Sequence, residues 1–220
     1  MGKSICFTVT NDLTFDQRMH RICTSLAGNG YNITLVGRKL RNSLPPGEKN
    51  YRQKRIRCWF NKGKLFYFEY NFRLLFWLLF HKMDAVRAID LDTILPCYMV
   101  SKLKRIKRIY DAHELFTGLK EVVTRPGIKK AWEKVERKMV PRFPFGYTVS
   151  ESIADEFYNR YRVQYKTIRN VPVLNEMPVI ENKEKFILYQ GAVNEGRGFE
   201  WLIPAMKLID NKLVNCGDGN

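Results

Sequence analysis

Glycine is missing from the one place where a dinucleotide-binding fold would need it. The turn after the first predicted strand reads Thr10-Asn11-Asp12-Leu13-Thr14-Phe15. A nicotinamide or flavin fold requires G-x-G-x-x-G there, so that the backbone can approach a pyrophosphate. No Walker motif occurs in the 220 residues either. Cysteine is scarce and unpatterned. Cys6, Cys23, Cys58, Cys97 and Cys216 are odd in number and never spaced C-x-x-C, which argues against a disulfide framework and a zinc site. Several stand in apolar runs, where a reduced thiol behaves as a small hydrophobe; the implied compartment is the reducing cytoplasm.

Long apolar runs are absent as well. The N-terminal one, Ile5 to Val9, is too short for a signal-peptide core. Leu65–Phe80 is interrupted by Glu69, Asn71 and Arg73, well short of the roughly 20 apolar residues that cross a bilayer. There are no internal repeats and no low-complexity tract. Acids are outnumbered, 22 against 38 bases, for a net charge of +16. Such an excess speaks of anionic partners rather than of fold.

What is present is a globular composition, 45% hydrophobic and 13% aromatic, arranged as alternating strand and helix. Strands are expected at Ser4–Val9, Asn32–Gly37, Ile56–Phe60, Ala85–Asp90, Arg108–Asp111, Phe145–Val149 and Lys166–Arg169. Helices are expected at Asp16–Gly28, Leu65–Phe80, Thr93–Leu103, Ile128–Val140 and after Ser150, from apolar residues recurring at helical spacing. Asn170–Lys185, with Pro172 and Pro178, lacks periodicity and reads as a linker. Beyond it the alternation restarts with strand Phe186–Gln190, helix Phe199–Ile209 and strand Leu213–Cys216. The expected class is α/β: a Rossmann-like parallel sheet with helices on both faces, then the first β-α-β unit of a second such domain. The expected organisation is residues 1–170, a linker at 171–185, and 186–220 as the beginning of a domain that continues further.

Ligands of parallel α/β sheets bind at the carboxyl ends of the strands. Three strand ends deliver polar groups there: Thr10, Asn11 and Asp12; Asp90 and Asp92; Asp111, His113 and Glu114. Asp92 also stands where a helix cap is expected, and His113 could be tied to a backbone carbonyl, but their coincidence on one edge points to a site. His113 suits hydrogen bonding to a hydroxyl or phosphate and titrates near neutrality. A second segment, Gly191-Ala192-Val193-Asn194-Glu195-Gly196-Arg197-Gly198, follows a strand and opens a helix. Its amides can cradle a phosphate, and Arg197 can add a bidentate contact.

Val9-Thr10-Asn11-Asp12, Asp16-Gln17-Arg18, Asp90-Leu91-Asp92-Thr93, Tyr110-Asp111-Ala112-His113-Glu114 and the Gly191…Arg197-Gly198 loop with Gly217-Asp218-Gly219 together resemble family-4 glycosyltransferases of the two-Rossmann-domain (GT-B) type. The resemblance covers essentially the whole chain. It implies a retaining, metal-independent sugar transfer from a nucleotide diphosphate sugar, without a cofactor. His113, Asp90 and Asp92 would be catalytic, Asn11, Asp12 and Glu114 would line the acceptor cleft, and Gly191, Gly196, Arg197 and Gly217 would hold the donor diphosphate. Two departures stand out. Ala192 and Arg197 occupy places where the family carries Arg and Lys, and the family's Glu motif for the donor would lie beyond Asn220, so the 220 residues alone are expected to be inactive.

The expected partners are a nucleotide sugar, a saccharide or lipid-linked acceptor and an anionic membrane surface at the inner face of the membrane. Between Arg38 and Lys64 ten basic residues stand against Glu48 alone. In residues 128–140 an apolar stripe, Ile128, Trp132, Val135 and Met139, is flanked by Lys129, Lys130, Lys134, Arg137 and Lys138, a membrane-surface pattern that a docked helix with a solvated basic face shares. Nucleic acid is not expected, because no recognition motif accompanies the charge and the strand-end acids would repel phosphates. A sugar-nucleotide epimerase can share the architecture and is the alternative enzyme reading.

Overall fold

Strand order determines where a ligand can sit in this molecule. The structure, a computed structural model, describes residues 2–172, 174, 184–191, 193–194 and 196–217, with Glu121 described by its backbone only. Seven strands, β1 (Ser4–Asp12), β2 (Asn32–Lys39), β3 (Arg52–Arg57), β4 (Ala85–Ile89), β5 (Lys107–Ala112), β6 (Phe145–Thr148) and β7 (Lys166–Thr167), form one sheet in the order β3-β2-β1-β4-β5-β6-β7. Every pairing is parallel. The helices of this unit are α1 (Gln17–Gly28), α2 (Gly63–Phe80), α3 (Ile94–Lys104), α4 (Lys120–Val123), α5 (Pro126–Met139) and α6 (Glu151–Tyr161). The expected doubly covered parallel sheet is what forms.

Alternation along β1 divides the core between the two faces, because successive strand side chains point oppositely. Cys6 packs with the buried face of α2, α3 and α5: Tyr70, Leu74, Leu78, Ile94, Cys97 and Met139. Phe7 and Val9 pack on the other side with Met19 and Cys23 of α1. Asp16 caps α1 by accepting from the Met19 amide at 3.1 Å, and Ser150 caps α6 by accepting from the Ile153 amide at 3.3 Å. Each cap satisfies a helix N–H that would otherwise lack a partner.

One strand differs from its expected position. β3 begins at Arg52, four residues before the Ile56 expected from the apolar pattern, and ends at Arg57. It is the sheet edge, where basic side chains are favoured because they block edge-to-edge pairing, so its sequence lacks an apolar alternation. Trp59 and Phe60 leave the sheet because Glu69 of α2 accepts from both their amides, at 2.9 to 3.0 Å.

By contact density the chain divides at Pro172 into two units. The second holds β8 (Phe186–Gln190) and β9 (Lys212–Cys216), paired in parallel, and α7 (Phe199–Ala205). The helix expected to run to Ile209 stops at Ala205 and continues only as a 3₁₀ turn. Pro204 sits in its last turn, where it lacks an amide to donate. None of this unit's described residues is fully buried. Most of the expected linker 171–185, together with Ala192, Glu195 and Asp218-Gly219 of the loops, lies outside the described residues.

Candidate active site

The chain leaves β1 toward β2 on one side, and β4 lies on β1's other side, leading outward to β5, β6 and β7. Between the carboxyl ends of β1 and β4 the connections diverge, and the crevice left there is where such sheets bind ligands. A cleft of about 280 Å³ opens at this point, lined by Thr10, Asn11, Asp16, Arg18, Asp90, Asp92, His113, Glu114 and Phe116.

Asp90 follows β4 with φ 52° and ψ −171°, a region that non-glycine residues enter only at a cost of roughly 1–3 kcal/mol. Its amide donates to the Asp111 carbonyl at 3.0 Å, which holds the strained residue in place. The carboxylate Oδ2 lies 3.2 Å from His113 Nδ1, so the ring turns to Asp90 and not to a backbone carbonyl. Asp92 follows in a 3₁₀ turn, Leu91–Thr93. Its Oδ2 accepts from the Thr10 hydroxyl at 2.6 Å, and no side chain caps α3, so the helix-cap alternative for Asp92 falls. Asp90 Oδ1 and Asp92 Oδ1 are buried and have no hydrogen-bond partner among the described residues, and His113 Nδ1 meets Asp90 as an ion-pair contact without full hydrogen-bond geometry. Buried carboxylate oxygens left in this state are costly unless something fills them.

Burial drives the electrostatics. It pushes the Asp92 carboxyl up to about 7, with Asp90 and Glu114 reinforcing the shift and the Thr10 bond and His113 opposing it. Burial raises Asp90 too, against the pull of His113. For His113 burial acts downward, but the side-chain contact and charge of Asp90 outweigh it and raise the ring above its ordinary value. The cleft therefore holds two carboxyls reluctant to ionise beside an imidazole inclined to keep its proton. Such a group accepts and donates hydrogen bonds to hydroxyls near neutral pH.

Asn11 and Glu114 are exposed at the rim of this cleft. Asp12 is placed differently. It does not line the cleft; its Oδ1 accepts from the Thr14 amide at 2.8 Å and hydroxyl at 2.7 Å, and its Oδ2 from Ser43. Burial alone would raise this carboxyl, but those bonds and nearby Arg55 hold it below the usual range. Asp12 shapes the turn that presents Asn11.

Asp111, expected at the binding edge from its place at a strand end, does not line the cleft and instead centres a buried ion cluster whose other members strand-end reasoning missed. Asp111, fully buried, accepts a bidentate pair from Arg18 at 2.6 and 3.0 Å, a bond from Arg87 at 3.1 Å, and one from the Tyr147 hydroxyl. Arg87 is clamped between the Phe7 and Tyr147 rings, at 4.6 and 4.1 Å. Burial lowers its pKa to about 10, against the pull of Asp111. Arg18 reaches the cleft wall from helix α1. Its clue in the sequence was an arginine beside buried Met19, whose polar head needs a partner inside.

In the second unit, Gly191 closes onto β9 by donating to the Cys216 carbonyl at 3.0 Å. A Cβ on Gly217 (φ 158°) would stand 1.9 Å from the Gly191 carbonyl oxygen, so the two strand-end loops touch backbone to backbone. The Gly196 amide donates to Glu200 at 3.1 Å, and Arg197 is exposed.

A family model described as Glycosyltransferase Family 4 matches residues 17–172. No curated protein matches the sequence. Among solved structures, sucrose-phosphate synthase from Thermosynechococcus elongatus superposes with a TM-score of 0.67 at 14% identity, over 97% of this chain and 62% of that one. The lipopolysaccharide outer core galactosyltransferase WaaB gives 0.57 at 12%, over 99% and 61%. A protein assigned as a UDP-N-acetylglucosamine 2-epimerase from Listeria monocytogenes gives 0.61 at 11%, over 98% and 62%. The chain thus spans less than two thirds of the length of these structures, and identities this low speak of a shared fold alone. The Rossmann-like sheet, the cleft at its switch point and the match over most of the first unit agree: this chain belongs to Glycosyltransferase Family 4.

Proposed function

We propose that the protein carries the acceptor-side domain of a retaining, metal-independent hexosyltransferase that moves a sugar from a nucleotide diphosphate sugar to a saccharide or lipid-linked acceptor of the cell envelope. The observation that carries this reading is the pair of carboxyl groups, Asp90 and Asp92, that line one cleft at the strand switch point and each keep an oxygen without a hydrogen-bond partner among the described residues. Acceptor hydroxyls satisfy them. In the reaction the bond from the sugar's anomeric carbon to the diphosphate breaks, the nucleoside diphosphate leaves with the bonding pair, a bond to the acceptor oxygen forms, and the acceptor hydroxyl's proton passes to the leaving phosphate oxygen. Asp92 and Asp90 orient that hydroxyl, and His113, held by Asp90, donates to a sugar oxygen. Arg197 and the loop positions Gly191, Gly196 and Gly217 are assigned to the diphosphate, whose charge Arg197 offsets without a metal.

For the 220 residues by themselves we expect no turnover, because the second unit lacks a buried residue among those described and so has little to hold a donor rigidly. Saturation-transfer NMR of this chain with neutral mono- and disaccharides tests the acceptor cleft. Binding that Asp92→Ala weakens about tenfold, about 1.4 kcal/mol, is the expected result. Saccharide binding indifferent to Asp90 and Asp92, or a salt-sensitive DNA affinity above it, refutes the assignment. The product of any turnover with donor and acceptor separates transfer from epimerisation: a glycosylated acceptor marks the first, an isomerised sugar nucleotide the second.

A further inference from the structure

Helix α2 is apolar on two sides, and the fold covers only one of them. Phe66, Tyr70, Leu74 and Leu78 are buried against the sheet. On the opposite side Phe68, Phe72, Phe76 and Phe80, spaced four apart, are 72%, 53%, 45% and 81% exposed. Three of these rings touch one another in sequence, at 6.2 and 4.8 Å between centroids. Neighbouring α3 extends the patch with Leu95, Met99 and Leu103, again four apart and exposed. A surface helix normally gives its outer side to polar residues, and contiguous apolar patches of this kind mark interaction surfaces.

Charge identifies the occupant. Exposed Lys62 and Lys64 flank the start of α2, Lys82 follows its end, and Lys102 and Arg105 edge α3. The one acid of α2, Glu69, is buried and bonded to Arg73 and to the Trp59 and Phe60 amides, and α3 contains none. This face therefore presents aromatic and aliphatic side chains within a basic rim, and neither helix contributes an exposed carboxylate to it. A second copy of the chain would bring another +16 of charge against it, which disfavours self-association. None of the described helices is long and apolar enough to cross a membrane.

We propose that the outer face of α2 and α3 docks in the plane of an anionic lipid surface, with the phenylalanines entering the headgroup boundary and the lysines meeting lipid phosphates. The expected membrane helix, 128–140, is not the one that does this. Its Trp132 packs edge-on against Tyr67 and Phe116, at 5.7 and 5.0 Å, and Met139 is buried, so its apolar stripe already belongs to the core. The geometry also suits a lipid-linked acceptor, a consequence that rests on the transferase reading. Because α2 starts just beyond the carboxyl end of β3, its first turns lie on the carboxyl-end side of the sheet, as the cleft does, and the Tyr67, Trp132 and Phe116 rings run from α2 to the cleft wall.

Co-sedimentation of the 220-residue chain with phosphatidylcholine vesicles, with and without phosphatidylglycerol, tests the proposal. Expected is binding that requires the anionic lipid and falls at about 1 M salt, where the screening length drops to about 3 Å. The triple variant Phe68→Ser, Phe72→Ser, Phe76→Ser should bind about tenfold more weakly, since each ring contributes apolar area. Lys62→Glu with Lys64→Glu, which leaves the rings and the core intact, should lose the anionic preference and serves if the triple variant melts early. Vesicle binding unchanged in both variants overturns the proposal, as does a concentration-dependent dimer that the serines dissolve without any vesicle binding. The vesicles carry neither saccharide nor nucleotide sugar, so this result is independent of the transferase assignment.

Discussion

Replacing Asp92 by Asn should make the first unit more stable at neutral pH while weakening saccharide binding by no more than the roughly tenfold expected of Asp92→Ala. The Asp92 carboxyl is pushed up to about 7 by burial, against about 3.9 in an unfolded chain. Between those values the folded protein holds a proton that the unfolded chain has released, so stability falls as pH rises through the window. Below about pH 4 both states are protonated and the cost is absent; above about pH 7 both are ionised and it is fully expressed. The interval corresponds to roughly 4 kcal/mol. The charges of Asp90 and Glu114 supply part of that shift, which leaves about 2–4 kcal/mol for Asp92 itself. Asparagine is isosteric, carries no charge and still accepts from the Thr10 hydroxyl. At about 2–4 °C per kcal/mol for a unit of this size, the melting temperature at pH 8 should rise by roughly 4–16 °C, and by little or nothing at pH 4. Calorimetry across that pH range is the assay. An Asp92→Asn variant no more stable than the parent at pH 8, or an advantage that ignores pH, refutes the claim that a buried, unfilled carboxylate sits in the cleft.

Other perturbations should act in the opposite direction or on other observables. Asp111→Ala strands Arg18 and Arg87 without their shared carboxylate and should cost about 3–5 kcal/mol, read as an earlier urea midpoint; a loss below about 1 kcal/mol would place the cluster outside the core energetics. His113, raised by Asp90, should titrate by NMR above its ordinary value and fall back in Asp90→Asn. Because the folded value is the higher one, the pair stabilises the fold fully below about pH 6.5 and that contribution is lost as pH rises through the folded pKa. A nucleotide-sugar hydrolysis and transfer panel on the 220-residue chain should show no turnover, and measurable product from any donor would contradict that expectation.

Much of the architecture is legible in the chain because it is local. Short apolar runs and helical spacing place most of the elements, and alternation of strand with helix dictates a parallel sheet. The edge strand escaped because charge, not apolar alternation, protects it, and Pro204 cut short a helix whose apolar pattern ran on. Within the site, polar residues at strand ends marked Asn11, Asp90, Asp92, His113 and Glu114, all of which meet in one cleft. The same rule could not separate Asp12, whose carboxylate is taken up by Thr14 and Ser43. Nor could it find Arg18, whose partner Asp111 lies 93 residues away.

By itself, then, the sequence determined the fold class, the edge on which chemistry could occur and the basic character of the surface, since each depends on spacing or composition. Only the tertiary structure decided which carboxylates are left unfilled, and that α2 rather than the helix beginning at Pro126 keeps an uncovered apolar side. Both outcomes depend on which distant element arrives to cover a group. Residue spacing says which side chains share a face, but it does not name the neighbour that packs against it.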